Sequence, residues 1–483
     1  MIKKNRNSGY FLPFVLVFGA IAIAAVAGLV SFANTNLLSG RRAITREQAF
    51  QIAEAGIDYY RWHLAHNGSD YSDGGGPFPH VHNFYDKSGI LIGTFSLTIT
   101  PPPAGSTLVA IKSQGVASTD TSVKRTIVSK LAIPSFANYA VVADAGMRFG
   151  VGTDVVGPIH VNGGVRFDGV AHNIVTSSLG SYNDPDHSDS SSEFGVHTHV
   201  NTPPATGVND SFRPLEAPPS PVPTRLDVFM AGRSFPVSTV SFGNIAADIS
   251  NLKSLAQSGG RYFADSGGGN DGYKVVFKTN DTYDVYRVTS IQSLPGSCSN
   301  QSGTGSWSVG NSTLLGNYTN PANGVIFFED DVWVEGQINS ARITLAAGTP
   351  TSSGGKSITI NNNLLYTNYD GQDSLALIAE GDVNVGLFSM DTLRIDAALM
   401  AENGRVGRHH YTGSCNSYTN RSDLTLFGMI GSSLRYGFAY VDGTGYETRN
   451  LIYDASMLYA PPPSFPLTTD KYQIVSWQET ANN

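Results

Sequence analysis

Gly324-Val325-Ile326-Phe327-Phe328-Glu329-Asp330-Asp331-Val332-Trp333-Val334-Glu335-Gly336 holds two short β-branched and aromatic runs, each bounded by glycine or acid. Runs of this length suit a buried strand and are too short for a helix with a core face of its own. The same beat continues downstream through 342–345, 357–360, 375–379, 382–385, 393–397 and 424–430. Upstream it runs through 139–143, 147–149, 157–163 and 165–168. Closely spaced short strands without long helices between them suit coils that stack their apolar interiors, so residues 136–483 read as a parallel β-helix, or solenoid. A sandwich or propeller uses similar residues, but a sandwich spaces its strands more regularly, at about 8–12 residues, with hairpin turns.

Two stretches interrupt the beat. Residues 177–224 carry Asp184, Asp186, Asp189, a serine run and Pro218-Pro219-Ser220-Pro221-Val222-Pro223, a composition that predicts a mobile loop without a packed core. Residues 225–295 predict an α+β insertion on the solenoid flank, with a helix over 245–258 and a hairpin over 273–278 and 282–288. The tail, 451–479, is expected to cover the last coil, because an open solenoid end needs a cap. Ahead of the body, 80–134 predicts a small β subdomain, its strands marked by the alternation of Gly93-Thr94-Phe95-Ser96-Leu97-Thr98-Ile99-Thr100. The fold class is therefore mainly β, preceded by helix.

That helix begins with a basic leader, 1–9, holding Lys3, Lys4 and Arg6, followed by an uncharged apolar run over 10–33. As a helix the run is about 36 Å long, enough to cross a hydrocarbon core of about 30 Å, and it exceeds the apolar region of a cleaved signal. It reads as a retained transmembrane anchor. Arg41, Arg42 and Arg46 balance the basic leader, so charge does not fix orientation. The poorly charged, Ser-, Thr- and Asn-rich body favours a cytoplasmic N-terminus with the bulk extracytoplasmic or at the cell surface. Over 41–66, Phe50, Ala53, Ile57, Tyr60 and Leu64 recur at helical spacing. Asn34, Asn36 and Gly40, followed by Thr45-Arg46-Glu47-Gln48, predict a fresh helix start near Thr45. The stripe serves either packing on its own domain or packing between molecules.

Gln48-Ala49-Phe50-Gln51-Ile52-Ala53-Glu54-Ala55-Gly56-Ile57 resembles the stretch that follows the membrane segment in PilX-type minor pilins and related type IV pilus assembly proteins. The order of basic tip, apolar span and this helix is similar too. The resemblance implies a prepilin-peptidase cut after Gly9, leaving Tyr10 as the first mature residue. It also implies an assembly face of Phe50, Ala53, Glu54, Ile57, Tyr60 and Leu64, and a β-rich pilin head starting near 80. Phe14 stands where most major pilins carry glutamate. The expected partners are the membrane, other pilin-like subunits or a pilus assembly machine, and surface glycans.

Net charge is −8, from 31 basic and 39 acidic residues, so a basic nucleic-acid surface is not expected. No nucleophile-elbow, zincin, P-loop or C-x-x-C pattern occurs, and no cofactor or catalytic residue is assigned. His197 and His199, like His80 and His82, can share a strand face, but no third ligand follows at a defined spacing, so no metal is expected. Asp184, Asp186 and Asp189 lack the glycine and terminal glutamate of a calcium loop. Glu329, Asp330, Asp331 and Glu335 are expected to face water. Cys298 and Cys415, each after Gly-Ser, would pair if the body is exported, and would otherwise be free thiols. The function expected is a non-enzymatic, membrane-anchored pilin-like protein presenting a β-solenoid for pilus assembly or surface adhesion. The rivals are a tethered β-helix carbohydrate-active enzyme using Asp330, Asp331 and Asp382, and a polymer-forming β-helix scaffold.

Overall fold

The apolar stretch that starts at Phe11 opens a single 56-residue helix, Phe11–His66. The computed structural model describes residues 11–102, 106–202, 207–243, 245–300, 305–349 and 355–480, so Gly9 and Tyr10 lie outside the described residues. The helix does not restart at Thr45. There the hydroxyl donates to the Arg41 carbonyl at 3.1 Å, and Thr35 does the same to Ser31 at 2.9 Å. Bonding back to the preceding turn lets threonine sit inside a helix, and Gly40 costs only about 1 kcal/mol of propensity.

The chain divides into two compact units. In the first, the lower half of the helix packs on a five-stranded antiparallel sheet ordered His80–Tyr85, Leu91–Thr100, Val109–Ala117, Lys124–Ala132 and Gln473–Thr480. Alternate residues of the central strands, such as Phe95, Leu97 and Ile99, turn inward. Small residues set the distance of approach: a Cβ on Gly115 would lie 2.1 Å from the Ala49 carbonyl oxygen, and one on Gly56 would lie 2.3 Å from the Ser113 hydroxyl. The last strand departs from expectation. Instead of covering a coil, Gln473–Thr480 pairs with Lys124–Ala132, whose backbone groups would otherwise form an open sheet edge.

The second unit is built on parallel pairing. One ladder runs through Ile326, Leu345, Leu377, Leu399, Ile430, Val141, Ile159 and Val175, each beside the next across adjacent strands. All eight side chains are buried in one core. A second set of parallel strands joins Gly272–Phe277, Val332–Ile338, Ile358–Thr359, Val383–Val385 and Val406–Arg408. The chain enters this stack in its middle. Val141–Ala143 sits between Asn420–Ser432 and Ile159–Val161, and the path continues to Val175–Ser177 and Arg233–Ser234. It then restarts at the opposite end with Arg261–Phe263 beside Val325–Phe328, and stacks back to where it began.

Of the two interruptions, 177–224 is ordered where a mobile loop is expected, and 225–295 holds the expected helix and hairpin. Within 177–224, Ser181–Asn183 pairs with Ser192–Phe194 and Val196–His197 pairs with Val165–Arg166. A buried polar network holds this segment, which a reading of apolar content alone does not reveal. Helix Ile245–Ser258 lays Ile249, Leu252 and Ala256 on a core with Val325, Phe327, Ala346 and Ile378. Beyond it, Gly272–Phe277, Thr282–Ile291 and Val309–Thr319 form an antiparallel meander continuous with the parallel sheet.

Candidate functional site

Two features stand apart from ordinary core building. The first is the helix. Its N-terminal half is long and apolar enough to cross a membrane, with none of that stretch buried. Phe11 is 80% exposed and Phe32 66%. Of the residues expected on an assembly face, Ala53, Ile57, Tyr60 and Leu64 are buried within their own unit, and the Tyr60 hydroxyl donates to the Asp70 carbonyl at 2.8 Å. The stripe thus packs on its own domain. Phe50 is half-buried, edge-on to Trp477 at 5.8 Å, with the Arg125 guanidinium 5.3 Å from its ring, and Glu54 is exposed.

The second is a buried centre in the other unit, where the hairpin of Ser181–Asn183 and Ser192–Phe194 brings Asp184 and Glu193 to His197, in the strand Val196–His197, and to His199 just beyond it. Glu193 Oε2 lies 3.1 Å from His197 Nε2, 3.0 Å from His199 Nε2 and 3.3 Å from His187 Nε2. Asp184 Oδ2 lies 3.5 and 3.8 Å from the His197 and His199 nitrogens. The three histidine side chains and Glu193 are wholly inaccessible. Burial alone would raise the Asp184 carboxyl, but His197, the Asp186 amide and Arg166 bring it down to about 2. Burial likewise works against a charged His197, yet Asp184 and Glu193 outweigh it and hold the imidazole at about 9. Around the centre, Arg166 donates from Nε to Asp168 at 2.7 Å, and Asp168 accepts the His199 amide at 2.8 Å.

The remaining candidates have structural partners. Asp330 is buried, 2.8 Å from Lys356 Nζ, and accepts the Ser266 hydroxyl at 2.6 Å. Asp331 accepts the Ser357 amide at 2.7 Å, Asp382 the Arg405 amide at 2.8 Å, and Glu329 pairs with Lys253 and Tyr262. These acids are therefore not the solvated face expected: they bind donors of neighbouring strands and loops. Glu335 meets Lys274 at 2.7 Å. His80 and His82 share the single carboxylate of Asp73. Cys298 and Cys415 are joined in a disulfide between the strand Cys298–Asn300 and the residue two beyond its antiparallel partner, Tyr411–Gly413.

No family model matches the chain, and no curated protein matches it. Among solved structures, the chain is similar to the crystal structure of the competence-associated pilin ComZ from Thermus thermophilus. The match covers 91% of this chain and 98% of that one, with 14% sequence identity and a TM-score of 0.33. A likeness of that size does not by itself establish a shared fold.

The sequence contained both halves of the buried centre without showing that they meet. His197-Thr198-His199 and the Asp184 to Asp189 acids are visible as separate signals. Glu193 and His187 carry no motif at all, and their role appears only once the hairpin 181–194 closes. The spacing Asp184, His187, Glu193, His197, His199 within one short segment is the signal that could have found it.

Proposed function

We propose that this chain is a membrane-anchored, pilin-like subunit of the PilX type, with its N-terminus in the cytoplasm and its β body outside. The body is a parallel β-solenoid presented for type IV pilus assembly or surface adhesion. One observation carries the reading: a single unbroken helix is bare and apolar along one half, and along the other is fitted by Ala49, Ala53 and Gly56 to an antiparallel sheet. A rod of that kind holds a soluble head at a fixed distance from a bilayer, and its bare half can lie in lipid or against equivalent helices in a filament. The disulfide between Cys298 and Cys415 supports an oxidising compartment. Phe50 and Glu54 remain the accessible part of the assembly face. Shearing surface filaments from cells and probing them for the chain tests the proposal. Recovery with the filaments, and protease sensitivity of the body in intact cells, is the expected result. Retention in the cytoplasm would overturn it.

A further inference from the structure

In the buried centre each histidine has its Nδ1 against a backbone carbonyl: His187 with Asp189 at 3.1 Å, His197 with Phe194 at 3.2 Å, and His199 with Asn209 at 2.7 Å. A carbonyl only accepts, so these Nδ1 atoms carry hydrogen, and in the neutral ring each Nε2 is a bare lone pair facing the centre. The carboxylates are oriented the same way. Glu193 Oε1 accepts the Arg213 amide at 2.8 Å and Asp184 Oδ1 the Asp186 amide at 3.0 Å, leaving Oε2 and Oδ2 turned toward the imidazoles. Lone pairs therefore confront lone pairs. The Nε2 atoms of His187 and His197 and the Oδ2 of Asp184 are buried and make no well-directed hydrogen bond.

Two arrangements can relieve this confrontation: protons on the imidazoles, or a cation between the donors. Protons fit poorly. Up to three N–H groups would crowd one Glu193 oxygen, and charged rings would lie with centroids 5.2 Å apart (His197 and His199) and 6.1 Å apart (His187 and His199) in a dry site. A cation fits the spacing. Ligand atoms about 2.0–2.2 Å from a tetrahedral zinc ion are about 3.3–3.6 Å from one another. The nitrogen-to-oxygen distances here run 3.0, 3.1, 3.5 and 3.8 Å, and the four donors of Asp184, Glu193, His197 and His199 all lie within 4.8 Å of one another.

We propose that Asp184, Glu193, His197 and His199, with His187 as an adjacent fifth donor, bind one divalent first-row transition cation of the zinc class. Mixed imidazole and carboxylate donors favour such an ion over calcium or magnesium, which take oxygen ligands. The site is closed to solvent, as structural metal sites are. Its role is to staple the Ser181–Asn183 and Ser192–Phe194 hairpin to the strand Val196–His197, in a segment with too little apolar content to fold by burial. Arg166 stands 3.5 Å from Asp184 Oδ2 and is tied through Asp168 to the His199 amide, so it belongs to the supporting shell. The inference does not depend on the pilin-like reading.

The test uses the full chain in detergent micelles, stripped with a chelator and titrated with Co²⁺ and then Zn²⁺. Uptake of about one ion per chain is expected, with visible ligand-field bands of a four- or five-coordinate nitrogen and oxygen site that Zn²⁺ abolishes. Stripping should open the 184–199 stretch to protease, and Zn²⁺ should close it again. The double variant His197→Gln/His199→Gln should lose Co²⁺ affinity by about 100-fold or more, while His80→Gln/His82→Gln should bind as the parent does. Failure of the stripped parent protein to take up either ion at tens of micromolar would overturn the proposal, whatever the variants do, and would assign the centre to shared protons. Undiminished uptake by the folded double variant would place the ion elsewhere, with the same consequence.

Discussion

Gly115 shows how a single missing methyl positions the head on its helix. Its Cβ would meet the Ala49 oxygen at 2.1 Å and the Ala53 nitrogen at 2.5 Å, backbone atoms that cannot rotate away. Gly115→Ala is therefore expected to destabilise the first unit by about 2–3 kcal/mol, seen as an earlier urea midpoint, whereas an exposed control such as Gly443→Ala acts through its positive φ alone. Glu402 offers a pH-dependent reading of the other unit. Burial, then the nearby Glu380 charge, raise its carboxyl to about 7, against the ordinary 4.5. The folded state thus holds this proton more tightly than the unfolded chain does. Its contribution to stability is full below about pH 4.5 and is lost as pH rises through about 7. Glu402→Gln should flatten that decline, an effect of about 1–2 kcal/mol once solvent screening at a half-buried site is allowed for, measured by thermal melts between pH 4.5 and 8. Residues of this kind were only partly legible. Gly56 stood out through its resemblance motif, but its contact with Ser113 and Phe95 depends on a sheet some forty to sixty positions away.

Among the elements, the long helix and most short strands could be read from the chain, because apolar runs and their punctuation are local signals. The helix break at Thr45 could not be judged locally, since a threonine that bonds backward looks the same in sequence as one that caps. The 177–224 segment misled for a different reason: its order comes from buried charge, and composition measures only apolar gain. The disulfide between Cys298 and Cys415 lends itself to direct measurement. It closes a loop with a sequence separation of 117, worth up to about 4–5 kcal/mol in the chain-entropy model. Cys298→Ser/Cys415→Ser should lower the denaturant midpoint of the body accordingly, and reductant should do the same to the parent protein but not to the variant. An unchanged midpoint would mean the bridge contributes little.

At the scale of the whole molecule, mainly β architecture with an apolar helix ahead of it was legible, but the order of stacking was not. Ile430 lies beside Val141, a pairing between distant parts of the chain that no local pattern announces. The same holds for the tail, which returns to the first sheet at Lys124–Ala132. Entry at mid-stack means that the strands on both sides of Val141–Ala143 must form before this part of the ladder is complete, so folding of the body depends on contacts of high sequence separation. The pilin-like reading proposed for this chain requires a processed N-terminus. Intact-mass and terminal-peptide mass spectrometry of the chain recovered from native membranes tests it most directly. The expected result is a mature chain that begins at Tyr10, N-methylated, with residues 1–9 removed. A chain that retains Met1 to Gly9 would contradict it.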